Sequence, residues 1–153
     1  EKSPMTLSIS QVAEADRAAW SGLWRDYLTF YESTRPQALF ERNFAQLVQG
    51  HGPLFGWLAR DADGVPIGLA HYFTHGTAWS FGETCYLQDL YVQPAHRGSG
   101  VAAALIAQVA ADAKARGCER LYWLTHQDNT RARALYDRVA AFEGFVCYER
   151  GLA

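Results

Sequence analysis

The spacing of apolar and polar residues changes several times along this chain, and each change marks an element. Thr6 to Val12 alternates, with Leu7 and Ile9 on one side, and predicts a first strand. Ala15 to Tyr31 shifts to helical spacing, with Trp20, Leu23, Trp24, Tyr27 and Leu28 sharing a side and Phe30 and Tyr31 at the end. Pro36 suits the first turn of a second helix, which carries Leu39, Phe40, Phe44, Leu47 and Val48 and stops at Gly50-His51-Gly52-Pro53. Leu54 to Arg60 and Val65 to Phe73 read as two strands joined by a hairpin turn at Asp61-Ala62-Asp63-Gly64. A looser loop follows from Thr74 to Thr84. Tyr86 to Val92 is a strand dense in aromatic and aliphatic residues, and Pro94 stops it.

The second half continues with helices and short strands. From Val101 the apolar positions Val101, Leu105 and Val109, with Ala102, Ile106 and Ala113, predict a helix that Gly117 caps. Arg120 to Leu124 reads as a short buried strand. Asp128-Asn129-Thr130 offers N-caps for a helix through about Ala141, and Gly144 to Tyr148 reads as a final strand. Two helices, an antiparallel hairpin and then strand, helix, strand, helix, strand make a mixed α/β sheet. With no repeat, linker or low-complexity segment, residues 5–153 are expected to form one domain. Residues 1–4, ahead of Met5, are expected to be additions to the native chain.

Composition narrows the function more than the fold. Of 153 residues, 49% are apolar and 14% aromatic, with both signs of charge interspersed, as in a folded globular chain. A formal net charge of −2 gives no electrostatic reason to expect nucleic acid or an anionic membrane as partner. No apolar run approaches the ~20 residues that span a bilayer, and the first residues show no signal-peptide pattern, so a cytoplasmic location is expected. The three cysteines, Cys85, Cys118 and Cys147, fit neither a metal knuckle nor a disulfide framework and are expected to be reduced. The histidines at 51, 71, 75, 96 and 126 lack metal-ligand spacing and read mostly as surface or loop residues, so no metal is expected. Cys85 reads as a small buried filler, and Trp20, Trp24 and Tyr27 as core.

Chemistry concentrates between the sixth and the last predicted elements. Arg97-Gly98-Ser99-Gly100 leaves backbone N–H groups uncovered at the start of a helix, where the dipole and Arg97 both favour a phosphate. Asn129 and Tyr136 are seven residues apart, two helical turns, and so project from one face. Tyr136 alone would read as a core aromatic, and Asn129 alone as a helix cap.

Together these residues resemble the GNAT N-acetyltransferase superfamily. Arg97-Gly98-Ser99-Gly100-Val101-Ala102 is similar to its acetyl-CoA signature, although Ala95 stands where the signature begins with Gln or Arg. Asn129, Ala132 and Ala134-Leu135-Tyr136 resemble the family's Asn-x-x-Ala-x-x-Leu-Tyr helix, and Gly144-Phe145-Val146-Cys147-Tyr148 its last strand. The resemblance implies an α+β fold whose mixed, mostly antiparallel sheet splays at a parallel strand pair to admit acetyl-CoA. It implies that the backbone of Leu90, Tyr91 and Val92 pairs with the pantetheine arm, and that N–H groups from Arg97 through Gly98, Ser99, Gly100, Val101 and Ala102 hold the pyrophosphate. Asn129 would bond the pantetheine arm and Tyr136 would reach the sulfur. A homodimer is implied as well.

Acetyl transfer to a primary amine requires that the amine lose a proton and the departing thiolate gain one. A tyrosine can supply the second, because its ordinary pKa near 10 exceeds that of a thiol. The first is harder to assign. Many relatives carry Leu-Glu-Asp where this chain has Leu87-Gln88-Asp89, and a carboxamide does not titrate near neutrality. A water chain touching Gln88 and Asp89 is the preferred route; Glu32, Glu83, His71, His75 and bulk solvent are the others. Asp26, Tyr31 and Glu32, with Trp79 and Phe81 opposite, are expected to receive a cationic amine, since carboxylates beside aromatics suit one. The acceptor is expected to be a small amine, a polyamine or a lysine-like amino acid. Two rivals stand beside this reading. One is a non-catalytic acetyl-CoA-binding module, which the absent glutamate allows. The other is a dinucleotide-binding oxidoreductase, since Gly98 to Ala103 formally fits Gly-x-Gly-x-x-Gly/Ala without the acidic residue expected downstream.

Overall fold

The computed structural model describes residues 6–153, so the expectation for residues 1–4 lies outside the described residues. Five strands, β1 (Ser8–Gln11), β2 (Phe55–Arg60), β3 (Pro66–His75), β4 (Thr84–Val92) and β5 (Arg120–Tyr122), form a sheet in that order. The first four pair antiparallel, and β5 joins β4 in parallel. With a single parallel pair, this is not the doubly wound sheet that a dinucleotide site needs.

Alternation along the strands divides the core in two. From β2, Phe55, Trp57 and Ala59 pack with α3 (Val101–Ala115), while Leu58 packs with α1 (Arg17–Phe30) and α2 (Gln37–Gln49) on the opposite face. The α1 and α2 stripes that the spacing predicted are the buried ones: Trp20, Leu23, Trp24 and Leu28, then Phe40, Phe44 and Leu47. On the α3 face, Tyr72 accepts a hydrogen bond from Trp57 Nε1–H at 2.8 Å and donates one to Asp112 of α3. No helix among the described residues is long and apolar enough to cross a membrane.

A bulge in β4 decides which of its side chains face which helix. His71 of β3 faces Asp89, and the next residue, Tyr72, faces Leu87, so Gln88 has no opposite number. One extra residue reverses the parity of everything after it. Before the bulge, Cys85 and Leu87 point toward α3. After it, Leu90 and Val92 do so, and Asp89 and Tyr91 turn toward α1.

Three expectations need correction. The segment Gly144 to Tyr148 forms no strand, and Phe145, Val146 and Tyr148 are exposed. Its run is apolar on both sides, and nothing within the same copy covers both. The strand read over Arg120 to Leu124 ends at Tyr122 and is the edge of the sheet, with Arg120 and Leu124 exposed. His71 is no surface residue but lies fully buried against α1.

Candidate active site

β4 runs on to Val92, whereas β5 has ended at Tyr122, opposite Tyr86. From Leu87 onward β4 therefore has no strand on that side. The gap opens into a cleft of about 460 Å³ bounded by the second half of β4, the start of α3 and α4 (Thr130–Val139).

At the α3 end the chain turns through Gly98 (φ 80°) and Gly100 (φ 87°), both in the left-handed region where a Cβ is strained. Ser99 Oγ–H donates to the His96 carbonyl and tightens the turn. Among the described residues nothing accepts from the N–H groups of Gly98, Ser99 or Gly100, and Val101 to Ala103 add the unpartnered donors of a helix start. Arg97 is used differently from its neighbours. Its N–H donates to the Pro94 carbonyl at 3.3 Å and its Nε–H to the Val92 carbonyl at 2.9 Å, and the guanidinium lies 5.6 Å from the Tyr91 ring centre. Arg97 thus locks the end of β4 to the turn. The other cationic side chains lining the cleft are Arg131, Arg138 and, when protonated, His96. Arg131 reaches within 3.7 Å of where a Cβ on Gly98 would stand.

α4 supplies the opposite wall. Asn129 caps it, accepting from the Ala132 N–H at 3.4 Å and donating to Thr125 Oγ1 at 3.4 Å, and it also lines the cleft. Two turns on, the Tyr136 ring packs edge-on against Trp123 at 5.4 Å. Its phenol is held above its ordinary pKa by burial first and by the neighbouring Tyr31 phenol second, so it stays protonated at neutral pH. Tyr136 lines both the main cleft and a smaller recess of about 20 Å³ beside it.

That recess brings together Gln88, Tyr27, Tyr31 and Tyr136 against Trp123 and Thr125. The bulge exposes Gln88 here and buries Asp89 behind it. Asp89 accepts from His71 Nδ1–H at 3.1 Å, and His71 Nε2 accepts from Trp20 Nε1–H at 3.0 Å. With Nε2 occupied as an acceptor, the ring proton sits on Nδ1. His71 is therefore committed at both nitrogens and offers no free nitrogen to the cleft. Tyr27 connects the two compartments. It lines the recess, and burial first, then Asp89, keeps its phenol protonated far above the ordinary tyrosine value.

The residues expected to receive the amine are dispersed. Tyr31 lines both cavities. Asp26 is exposed on α1, and its charge raises the Tyr91 phenol, second to burial. Glu32 is exposed just past α1 at φ 53°, and lines neither cavity. Trp79 (96% exposed) and Phe81 stand in the loop before β4, away from both. Cys85 is buried, and burial pushes its thiol up to about 12, as befits a filler and not a nucleophile. Among the described residues, no cluster of three His, Cys, Asp or Glu side chains is placed to hold a metal ion. Arg131, Arg138 and Tyr27 were not singled out for these positions by sequence, and His71, named as a possible base, is instead buried between Asp89 and Trp20. Two arginines on an exposed-looking helix carry no local signal, and Tyr27 sits in a stripe that reads as core.

Known proteins share both the sequence pattern and the fold. The model of the acetyltransferase (GNAT) family matches residues 20–142. Over 145 residues the chain is 36% identical to the D-amino-acid N-acetyltransferase HPA3 of Saccharomyces cerevisiae, covering 94% of this chain and 90% of that protein. It is 36% identical over 83 residues to the thialysine N-epsilon-acetyltransferase of Bos taurus, covering 51% and 48% of the two chains. Among solved structures it superposes on the aminoglycoside N-acetyltransferase AAC(6')-Iy in complex with CoA with a TM-score of 0.82, at 21% identity and covering 100% and 99% of the chains. At that identity what is shared is the fold.

Proposed function

The chain belongs to the acetyltransferase (GNAT) family, and from that premise we propose that it acetylates a lysine-like amino acid, a polyamine or another small primary amine in the cleft between β4 and α4. As a family member it is an acetyl-CoA-dependent amine N-acetyltransferase. One observation carries the finer reading: a single cleft is lined by the N–H-rich turn at Gly98 to Ala102, the strandless edge of β4 and Tyr136.

In this reading the pyrophosphate of acetyl-CoA lies on the free N–H groups of the turn, where a helix start favours negative charge, with Arg131 across from it. The pantetheine arm runs along Leu90 to Val92 as a strand would, with Asn129 from the far wall. A main-chain N–H on that edge polarises the thioester carbonyl. The amine nitrogen, once deprotonated, forms its bond to the carbonyl carbon. The carbon–sulfur bond then breaks, and the sulfur takes the proton of the Tyr136 hydroxyl. Solvent in the recess, in contact with Gln88 and the Tyr27 hydroxyl, removes the amine's proton, with Asp89 behind Tyr27.

Two of the relatives are named for amino-acid substrates, one of them for an ε-amine, and this favours a soluble amino acid over a protein. The test is release of free coenzyme A thiol from acetyl-CoA across diamines, polyamines, amino acids of both hands and lysine peptides. Turnover with a lysine-like acceptor or a polyamine is expected. Tight acetyl-CoA binding with no thiol release from any amine would leave the non-catalytic module as the better description.

A further inference from the structure

His71 is a buried titratable side chain that touches neither cavity, yet three elements are shaped around it. From β2, Gly56 leaves the space for its ring: a Cβ there would stand 3.3 Å from His71 Cδ2 and 2.5 Å from Leu47 Cδ2. From α1, Trp20 Nε1–H donates to His71 Nε2 at 3.0 Å, and the Trp24 ring lies 5.1 Å away. From β4, Asp89 accepts from His71 Nδ1–H at 3.1 Å. The two side chains are 2 and 9% exposed. An imidazole and a carboxylate inside an aromatic core are costly unless each polar atom is used.

The use lies toward the recess. No carboxylate lines it, so a proton leaving an amine there meets only Gln88, Thr125 and three phenols. Of these phenols, Tyr27 has Asp89 behind it: its hydroxyl faces that carboxylate, with Tyr31 and Tyr86 as the other titratable neighbours. The Tyr27 ring is seated by Trp24, stacked at 5.5 Å, and by Tyr31 and Tyr91, edge-on at 5.0 and 6.2 Å. The bulge that sends Gln88 outward is what turns Asp89 inward to meet both His71 and Tyr27.

We propose, on the reading that the amine docks in this recess, that Trp20 and His71 are positioning residues that hold Asp89 against Tyr27, so that the proton of a substrate ammonium leaves through Tyr27 into Asp89. The ammonium gives its proton, directly or across one water, to the Tyr27 oxygen as the Tyr27 O–H proton passes to Asp89. The nitrogen keeps its electron pair, Tyr27 ends neutral as it began, and Asp89 becomes a carboxylic acid. The free amine then bonds to the thioester carbon and the carbon–sulfur bond breaks. The sulfur takes the Tyr136 proton, which the acetylated nitrogen restores. Asp89 returns its proton through Tyr27 to solvent once the products leave. Tyr27 thus handles the proton that charges the amine, and Tyr136 the one that the thiol keeps.

Amine basicity separates this role from packing. An aliphatic amine with a pKa of about 10 arrives protonated at about pH 7, whereas trifluoroethylamine arrives as the free base. With the aliphatic amine, Tyr27→Phe should lower kcat about 10²-fold at that pH and leave the acetyl-CoA KM unchanged. The deficit should shrink as the pH rises toward the amine's pKa, and should nearly vanish with trifluoroethylamine. His71→Leu, which removes the donor to Asp89, should show the same pattern. His71→Asn, whose amide nitrogen stands where Nδ1 stood, should recover most of the rate. Tyr136→Phe should slow both amines alike. Equal deficits for the two amines in Tyr27→Phe, or no deficit at all, overturn the relay and leave acetyl transfer itself standing. That variant decides the matter even where His71→Leu does not fold, because Tyr27 borders the cleft. A His71→Asn chain that folds and is as slow as Tyr27→Phe overturns the role of His71. An unmodified chain that releases thiol with no amine overturns the docking of an amine here, and the relay with it.

Discussion

Tyr136 differs from phenylalanine by one oxygen, and its ring is held independently by Trp123. Tyr136→Phe should therefore lower kcat by about 10²–10⁴-fold, the usual worth of a positioned acid, while calorimetry shows an unchanged acetyl-CoA affinity. An equal loss of binding would assign the residue to packing. Because its phenol is raised above 10, any loss of rate from its deprotonation should fall above pH 10 in the kcat profile. Trp20→Phe makes a different point. It leaves His71 Nε2 as a buried acceptor without a donor, at a cost of about 1–3 kcal/mol, read as a lower urea midpoint at constant m-value. Nothing local in the sequence marks this contact. Trp20 and His71 are 51 residues apart, and each alone reads as something simpler. The Tyr136 and Asn129 pair, by contrast, could be placed on one cleft, because helical spacing puts both on one face and the family resemblance singles both out.

At the scale of elements, the turn into α3 and the clamp near the N-terminus carry predictions. Gly100→Glu forces a side chain into the left-handed region, at about 1–3 kcal/mol, and projects a carboxylate into a cleft that favours anions. Loss of measurable acetyl-CoA binding is expected. Normal affinity would remove the phosphate from this turn. Arg60 of β2 bonds Ser10 Oγ of β1 and both oxygens of Asp16 just before α1, at 2.7 and 2.8 Å. This pairing holds the Asp16 carboxyl below its usual value of 3.8. Its stabilising contribution is present above that value and is lost as pH falls through the lower folded-state value. Stability measured by denaturant from pH 5 down to pH 2 should thus fall more steeply for the unmodified chain than for Asp16→Asn. Helices were the readable elements, because a buried stripe repeats many times over 13 or more residues. The bulge at Gln88 was not legible. Parity along Tyr86 to Val92 looks unbroken until β3 supplies the register.

Across the whole molecule, α4 is the loosest helix, with no buried residue, although it forms one wall of the main cleft. A ligand filling that cleft supplies the packing that α4 lacks. Coenzyme A should therefore raise the melting temperature by mass action and slow amide exchange in residues 130–139 far more than in α2. Uniform protection would place the ligand elsewhere. The order of elements and the mixed sheet were readable from the chain because each element leaves its own period. The fate of residues 142–153 was not, since an apolar run records a need for cover without recording which surface meets it.

The edge of β4 beyond Leu87 has a consequence for how freely this chain can vary. What it presents to the cleft is main chain, the same donors and acceptors whichever side chains are attached. Substitutions at Leu90 or Tyr91 alter packing below the edge and leave that pattern intact. The information that keeps the edge open is written elsewhere, in the early stop of β5 at Tyr122 and in the odd residue at Gln88. Inheritance can therefore redraw the recess residue by residue while the main-chain edge beside it stays the same.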